Sequence, residues 1–122
     1  MEKARVAIIE DAGSFRELAR IALEHHGHSV IAEAKDVPSA FALLEEIKHG
    51  LVCDVILLDG NLTKGPTDFK DAHSIFEKYK KLELETPIIG YSSGSLAEEG
   101  IVSSKFDSRK STSDMLKMIA SL

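Results

Sequence analysis

Four consecutive apolar residues, Val55-Ile56-Leu57-Leu58, end in a single carboxylate, Asp59, and the turn-forming pair Gly60-Asn61 follows at once. An apolar run that short, bounded by turn residues, reads as a strand buried on both faces, as inside a parallel sheet. A charged residue at its last position then stands at the carboxyl edge of the sheet, where open α/β sheets bind their ligands. The run Val6-Ala7-Ile8-Ile9 repeats the design and leads straight into Glu10-Asp11. Three carboxylates at two strand ends repel one another unless a cation sits among them. The pattern therefore predicts a magnesium-dependent acidic pocket with Asp59 at its centre.

The remaining elements follow from periodicity. Ser14 is placed to cap a helix with Phe15, Leu18, Ala19 and Ala22 on one face, ending near His26 with Gly27 as its left-handed stop. Ser29 to Ala34 is a second strand. Asp36 and Pro38 open a second helix through Ala40, Leu43, Leu44 and Ile47. The stretch from Gly60 to Asp68 is a loop, and a third helix carries Ala72, Ile75, Phe76 and Tyr79 on one face. Pro87 to Ser92 is a fourth strand with its proline at the permitted first position. Too few residues separate Ser93-Gly94 from Gly100 for more than two helical turns. A weak fifth strand is expected within Ile101 to Arg109, then a last helix with the capping pattern Ser111-x-x-Asp114. Phe15, Phe41, Phe69 and Phe76 fall on helical stripes and read as core.

Strands alternating with helices at this rhythm give an α/β fold, a (βα)5 doubly wound parallel sheet with a shortened fourth helix. With 122 residues the expectation is one domain over 1–122, with no room for a separate output domain. A net charge of −5 argues against nucleic acid, which is held by cationic side chains on phosphates. The single cysteine, Cys53, cannot form an internal disulfide and reads as a small buried hydrophobe. No apolar run is long enough for a signal sequence or a membrane span, so the expected compartment is the cytoplasm. His25, His26 and His28 lack a matching set of metal ligands and read as helix-end residues.

Strands one, three and four end in Glu10-Asp11, Asp59 and Ser92, and a lysine follows near strand five; in a parallel sheet these ends share one edge. With the motifs Ile8-Ile9-Glu10-Asp11, Leu57-Leu58-Asp59 and Pro87-Ile88-Ile89-Gly90-Tyr91-Ser92, the chain resembles, along its whole length, the receiver domain of two-component response regulators, in its stand-alone form. The resemblance implies the flavodoxin-like strand order 2-1-3-4-5. It also implies that Asp59 accepts a phosphoryl group from a phosphohistidine on a histidine kinase or histidine phosphotransfer protein. Asp11 and Asp59 would ligate Mg2+ directly, Glu10 partly through water, and the backbone carbonyl of Asn61 would complete the protein ligands. Ser92 matches the hydroxyl residue that bonds the phosphoryl group and draws its loop inward. Lys105 and Lys110 both lie near strand five, and neither precedes a proline as the family pattern has it. Lys110 is preferred, because it directly precedes the final helix cap, and its role would be to pair with a phosphoryl oxygen. Phe106 falls near the family's aromatic switch position.

On this reading the protein is not a turnover enzyme. It signals by binding an unidentified downstream protein differently once phosphorylated, with no role for nucleic acid or membrane. The alternative is a degenerate receiver, an interaction module that works without phosphorylation; the shortened fourth helix and the altered lysine region motivate it. A haloacid-dehalogenase type of phosphohydrolase fits less well, since Asn61 stands where a second aspartate would shuttle the proton. A flavin-binding sheet of similar topology lacks a phosphate-cradling Ser/Thr-Gly loop after the first strand.

Overall fold

Successive side chains of a pleated strand face opposite ways, and the two apolar runs bury both faces. In the computed structural model, which describes residues 1–60 and 69–122, β1 (Arg5–Ile9) and β3 (Val55–Leu58) pair in parallel, Val6 opposite Val55 and Ile9 opposite Leu58. β2 (Ser29–Ala34) flanks β1 and β4 (Ile88–Gly90) flanks β3, so the described sheet is parallel with the order β2-β1-β3-β4. Ala7, Ile9, Ile56 and Leu58 belong to a core with Leu43 and Leu44 of α2 (Val37–Lys48) and Ala72 and Ile75 of α3 (Lys70–Lys81). Their neighbours Val6, Ile8, Val55 and Leu57 belong to a second core with Ala19 and Leu23 of α1 (Gly13–His25) and Met115 and Ile119 of α4 (Thr112–Ala120). The doubly wound layering is thus written in the alternation of two short strands. Burying one Ile or Leu side chain contributes about 1.5–3 kcal/mol, so the register is strongly held.

Several helix ends form as their residues dictate. The Asp36 carboxylate accepts the Ser39 N–H at 2.9 Å while the Asp36 N–H donates to the Ser39 hydroxyl at 3.2 Å, which closes a capping box at α2. Ser111 accepts the Asp114 N–H at 3.2 Å at the start of α4. Gly27 follows α1 with φ +87°.

Four expectations are corrected. Ser14 does not cap α1; the cap position is Ala12, and the Ala12 N–H donates instead to the Glu10 side chain at 3.2 Å. The buried stripe of α1 runs through Ala19 and Leu23, while Phe15 and Leu18 are 39% and 50% exposed. The helix is apolar on more than one side, and the spacing alone picks the wrong stripe. The fifth strand of the expected 2-1-3-4-5 order is not formed among the described residues. A 3-10 turn (Ser104–Phe106) and one parallel bridge between Gly90 and Asp107 occupy its place. Polar side chains there take over backbone partners that a ladder would use. The Ser108 hydroxyl and N–H both donate to the Gly90 carbonyl, at 2.7 and 2.9 Å. The Asp107 carboxylate accepts from the Ser95 hydroxyl at 2.8 Å and the Ala97 N–H at 3.2 Å. The expected shortened fourth helix is not formed among the described residues either: Leu96 to Gly100, too short to offset the cost of a helical nucleus, makes only a turn.

Candidate functional site

Parallel register carries two sequence-distant carboxylates to one rim. Ile9 lies opposite Leu58, so the next residue on each strand, Glu10 and Asp59, leaves the sheet at the same level. Backbone bonds hold both there: the Asp59 N–H donates to the Ile9 carbonyl at 2.8 Å, and the Glu10 N–H to the Ala34 carbonyl at 2.9 Å. Carboxylate oxygens of Glu10, Asp11 and Asp59 come within 4.8 Å of one another. Glu10 is 2% exposed and Asp59 7%. Two buried acids and a third beside them, all hard oxygen donors, suit a small divalent cation.

Lys110 reaches this cluster from the turn before α4. Its ammonium pairs with Glu10 and stands 3.7 Å from an Asp59 oxygen. The ammonium also lies 4.4 Å from the Phe15 ring centroid and 4.9 Å from that of Tyr91, so two aromatic faces guide it toward the acids. Lys105 instead lies 5.4 Å from the centroid of Phe106, on the exposed 3-10 turn. Phe106 itself is half-buried against the α1/α4 core. The Gly60 N–H donates to Asp59 at 2.8 Å, leaving the other carboxylate oxygen without that restraint.

Burial and mutual repulsion shape the charges. Loss of water pushes the Glu10 carboxyl up to about 7, and neighbouring Asp59 adds to the rise against the pull of Lys110. Asp59 is raised chiefly by burial and also by Asp11, with Lys110 opposing. A cation entering the cluster would reverse both shifts.

Ser92 lies two residues beyond β4 and is 2% exposed, with its hydroxyl accepting the Gly94 N–H at 3.4 Å. Its place beside the end of β3 shows at Gly60, where a β-carbon would stand 2.6 Å from the Ser92 hydroxyl oxygen. Glu10, Asp11, Asp59, Ser92 and Lys110 are thus brought to one rim. Asn61 lies outside the described residues.

Some site residues carry no signal in the spacing that predicts the acids. Arg16, one turn into α1, donates to the carbonyls of Glu10 at 2.8 Å and Asp11 at 3.0 Å and so clamps the acidic loop. Tyr91 is buried below Lys110, its hydroxyl 3.1 Å from that of Thr112 at the start of α4. A cationic residue one helical turn beyond the acidic pair, and a tyrosine within an apolar strand, are the clues that would have found them.

No protein-family model matches this sequence, and no curated protein matches it. Solved structures do. The signal receiver domain of the putative response regulator NarL from Mycobacterium tuberculosis is similar, with 25% identity, a TM-score of 0.62, and coverage of 97% of this chain and 79% of that one. A LuxR-family two-component response regulator from Aurantimonas sp. SI85-9A1 gives 20% identity and a TM-score of 0.72 over 98% of this chain and 84% of that one. The Mn2+-bound form of response regulator Rcp1 gives 21% identity and a TM-score of 0.66 over 97% and 90%. Four parallel strands in the order 2-1-3-4 among the described residues, an acidic cluster at their carboxyl rim and these structural likenesses agree: the chain has the fold of a response-regulator receiver domain.

Proposed function

We propose that the protein is a single-domain phosphoacceptor in a two-component signalling system, with Asp59 as the acceptor. The observation that carries this reading is the buried acid cluster with one lysine drawn into it. An Asp59 carboxylate oxygen attacks the phosphorus of a phosphohistidine on a histidine kinase or phosphotransfer protein. The P–N bond breaks, the imidazole leaves, and an acyl phosphate remains on Asp59. Lys110 moves its ammonium onto a phosphoryl oxygen, and the Ser92 hydroxyl donates to another. Glu10, Asp11 and Asp59, with the Asn61 carbonyl, would hold Mg2+, which would supply charge neutralisation for the incoming group. Water later hydrolyses the acyl phosphate, so the protein resets itself without turning over a substrate. The phosphorylated form binds a downstream protein differently. No described helix is long and apolar enough to cross a membrane, and a cytoplasmic setting fits such a partner.

Incubation with acetyl phosphate and Mg2+ should add one phosphoryl group by intact mass, removed by hydroxylamine as an acyl phosphate is. Omitting the metal with a chelator should prevent it. Absence of any label under these conditions would defeat the reading and favour an interaction module independent of phosphorylation, which the missing fifth strand motivates.

The acid cluster also sets a pH dependence. Glu10 ionises at an ordinary 4.5 when unfolded and at about 7 when folded. Between these values the folded chain keeps a proton that the unfolded chain has lost, so metal-free stability falls as pH rises through that window. The fall should be on the order of 3 kcal/mol by about pH 8, at 1.36 kcal/mol per unit. Mg2+ should restore most of it at pH 8 and little at pH 5, where the proton competes. Asp36 and Asp54, whose carboxyls are held below their ordinary 3.8 mainly by hydrogen bonds, act only at lower pH. Urea unfolding at the two pH values, with and without Mg2+, reads the difference. Equal stabilisation by Mg2+ at both would sink it.

A further inference from the structure

Phe69 sits where no helical stripe would place it. It precedes α3 in the left-handed region, φ 58° and ψ 19°, a conformation that a bulky residue rarely keeps without an opposing gain. Its ring lies between the chain ends that follow β3 and β4. A β-carbon on Gly60 would stand 2.5 Å from ring carbons Cδ1 and Cε1, and one on Gly94 would overlap Cζ. Gly60 follows Asp59 directly, and the Ser92 hydroxyl lies 2.6 Å from the same Gly60 β-carbon position. Neither Gly60 nor Gly94 has a φ that demands glycine. Both are glycine because the ring fills the space a side chain would take.

We propose that Phe69 is a positioning residue, a wedge packed between Gly60 and Gly94 that resists further movement of the Ser92–Gly94 loop toward a group bound at Asp59. The proposal rests on the phosphoacceptor reading and deepens it. Any shift of the loop carrying Gly94 toward Gly60, as Ser92 settles on a phosphoryl group at Asp59, has to displace the ring that lies against both glycines. Ring seating and phosphorylation are thereby set against each other, and the wedge lowers the population of the closed form.

Beryllofluoride with Mg2+, a tetrahedral phosphoryl mimic that caps a carboxylate reversibly, reads this balance at equilibrium by calorimetric titration. Phe69→Ala should bind it about five- to tenfold more tightly than wild type, because the seated ring that stabilises the open form is gone. Phe69→Leu should shift the same way by less. The gain should vanish when Ser92→Ala is added to Phe69→Ala, a dependence that a merely structural role would not produce. A cycle of Phe69→Ala with Gly94→Ala tests the seating without metal or phosphoryl group: Gly94→Ala should lower the unfolding midpoint in wild type and leave it nearly unmoved once the ring is gone. Unchanged or weaker beryllofluoride binding in Phe69→Ala, with Asp59 still phosphorylated by acetyl phosphate, overturns the wedge alone. No binding and no label in any variant, with the Phe69–Gly94 coupling intact, overturns the phosphoacceptor reading and the wedge's role with it. Absence of that coupling overturns the seating itself.

Discussion

An Asp59→Asn protein takes up no phosphoryl group from acetyl phosphate, and in metal-free buffer it unfolds later than the wild type. The two effects have one origin. Asp59 is buried at 7% exposure beside Glu10 and Asp11, and both burial and its neighbour's charge push its carboxyl up. Asparagine removes the nucleophilic oxygen and one charge while keeping an amide oxygen to accept the Gly60 N–H that Asp59 takes at 2.8 Å. Lys110 keeps its pairing with Glu10. The net change is relief of repulsion, of order 1–2 kcal/mol, or a rise of several degrees in unfolding midpoint for a domain of this size. Mg2+ should raise the midpoint of wild type and barely move that of the variant. Calorimetry across the pair, beside the mass measurement, checks both signs. Lower metal-free stability in Asp59→Asn would mean that the carboxylate is held by attraction rather than against repulsion.

Lys110→Met separates binding from chemistry. The ammonium now occupies the position next to Glu10 and Asp59 that a divalent cation would claim. Methionine retains an apolar stem between Phe15 and Tyr91 and removes the charge. Mg2+ should then bind about tenfold more tightly, since its competitor is gone, a change worth about 1.4 kcal/mol. Phosphoryl transfer should slow by about a hundredfold, the usual loss when one donor to a developing anion is deleted. Without Mg2+ the variant should lose about 3 kcal/mol of stability, because a buried carboxylate is left without its cation. Lys105→Met serves as control, since Lys105 lies against Phe106 on an exposed turn. An unchanged transfer rate in Lys110→Met would remove Lys110 from the reacting group.

The acid cluster was legible because it depends on two strand ends alone. Apolar runs fix β1 and β3, pairing fixes their level, and Glu10 and Asp59 must then meet. Lys110 was legible for a different reason: it directly precedes the cap of the last helix, whose residues state their own start. The fifth strand was not, because Ser95, Asp107 and Ser108 form side-chain bonds that offer the backbone an alternative to a ladder, and no periodicity reports them. Phe15 misled because α1 is apolar on more than one side; the ring that looked like core serves as one wall of the lysine's path. Phe69 was hidden more deeply. Its placement depends on a left-handed backbone and on two glycines more than thirty residues apart, Gly60 and Gly94, which share nothing in sequence.

The alternation of β3 between its two cores makes the chemistry hostage to counting. Deleting one residue from Val55–Leu58 would leave every reactive side chain in the chain, yet it would either draw Asp59 below the rim by one residue's rise, about 3.3 Å, or turn each apolar side chain toward the opposite layer. Evolution can therefore vary the loops around this carboxylate freely in length, but the strand that delivers it has a fixed ruler.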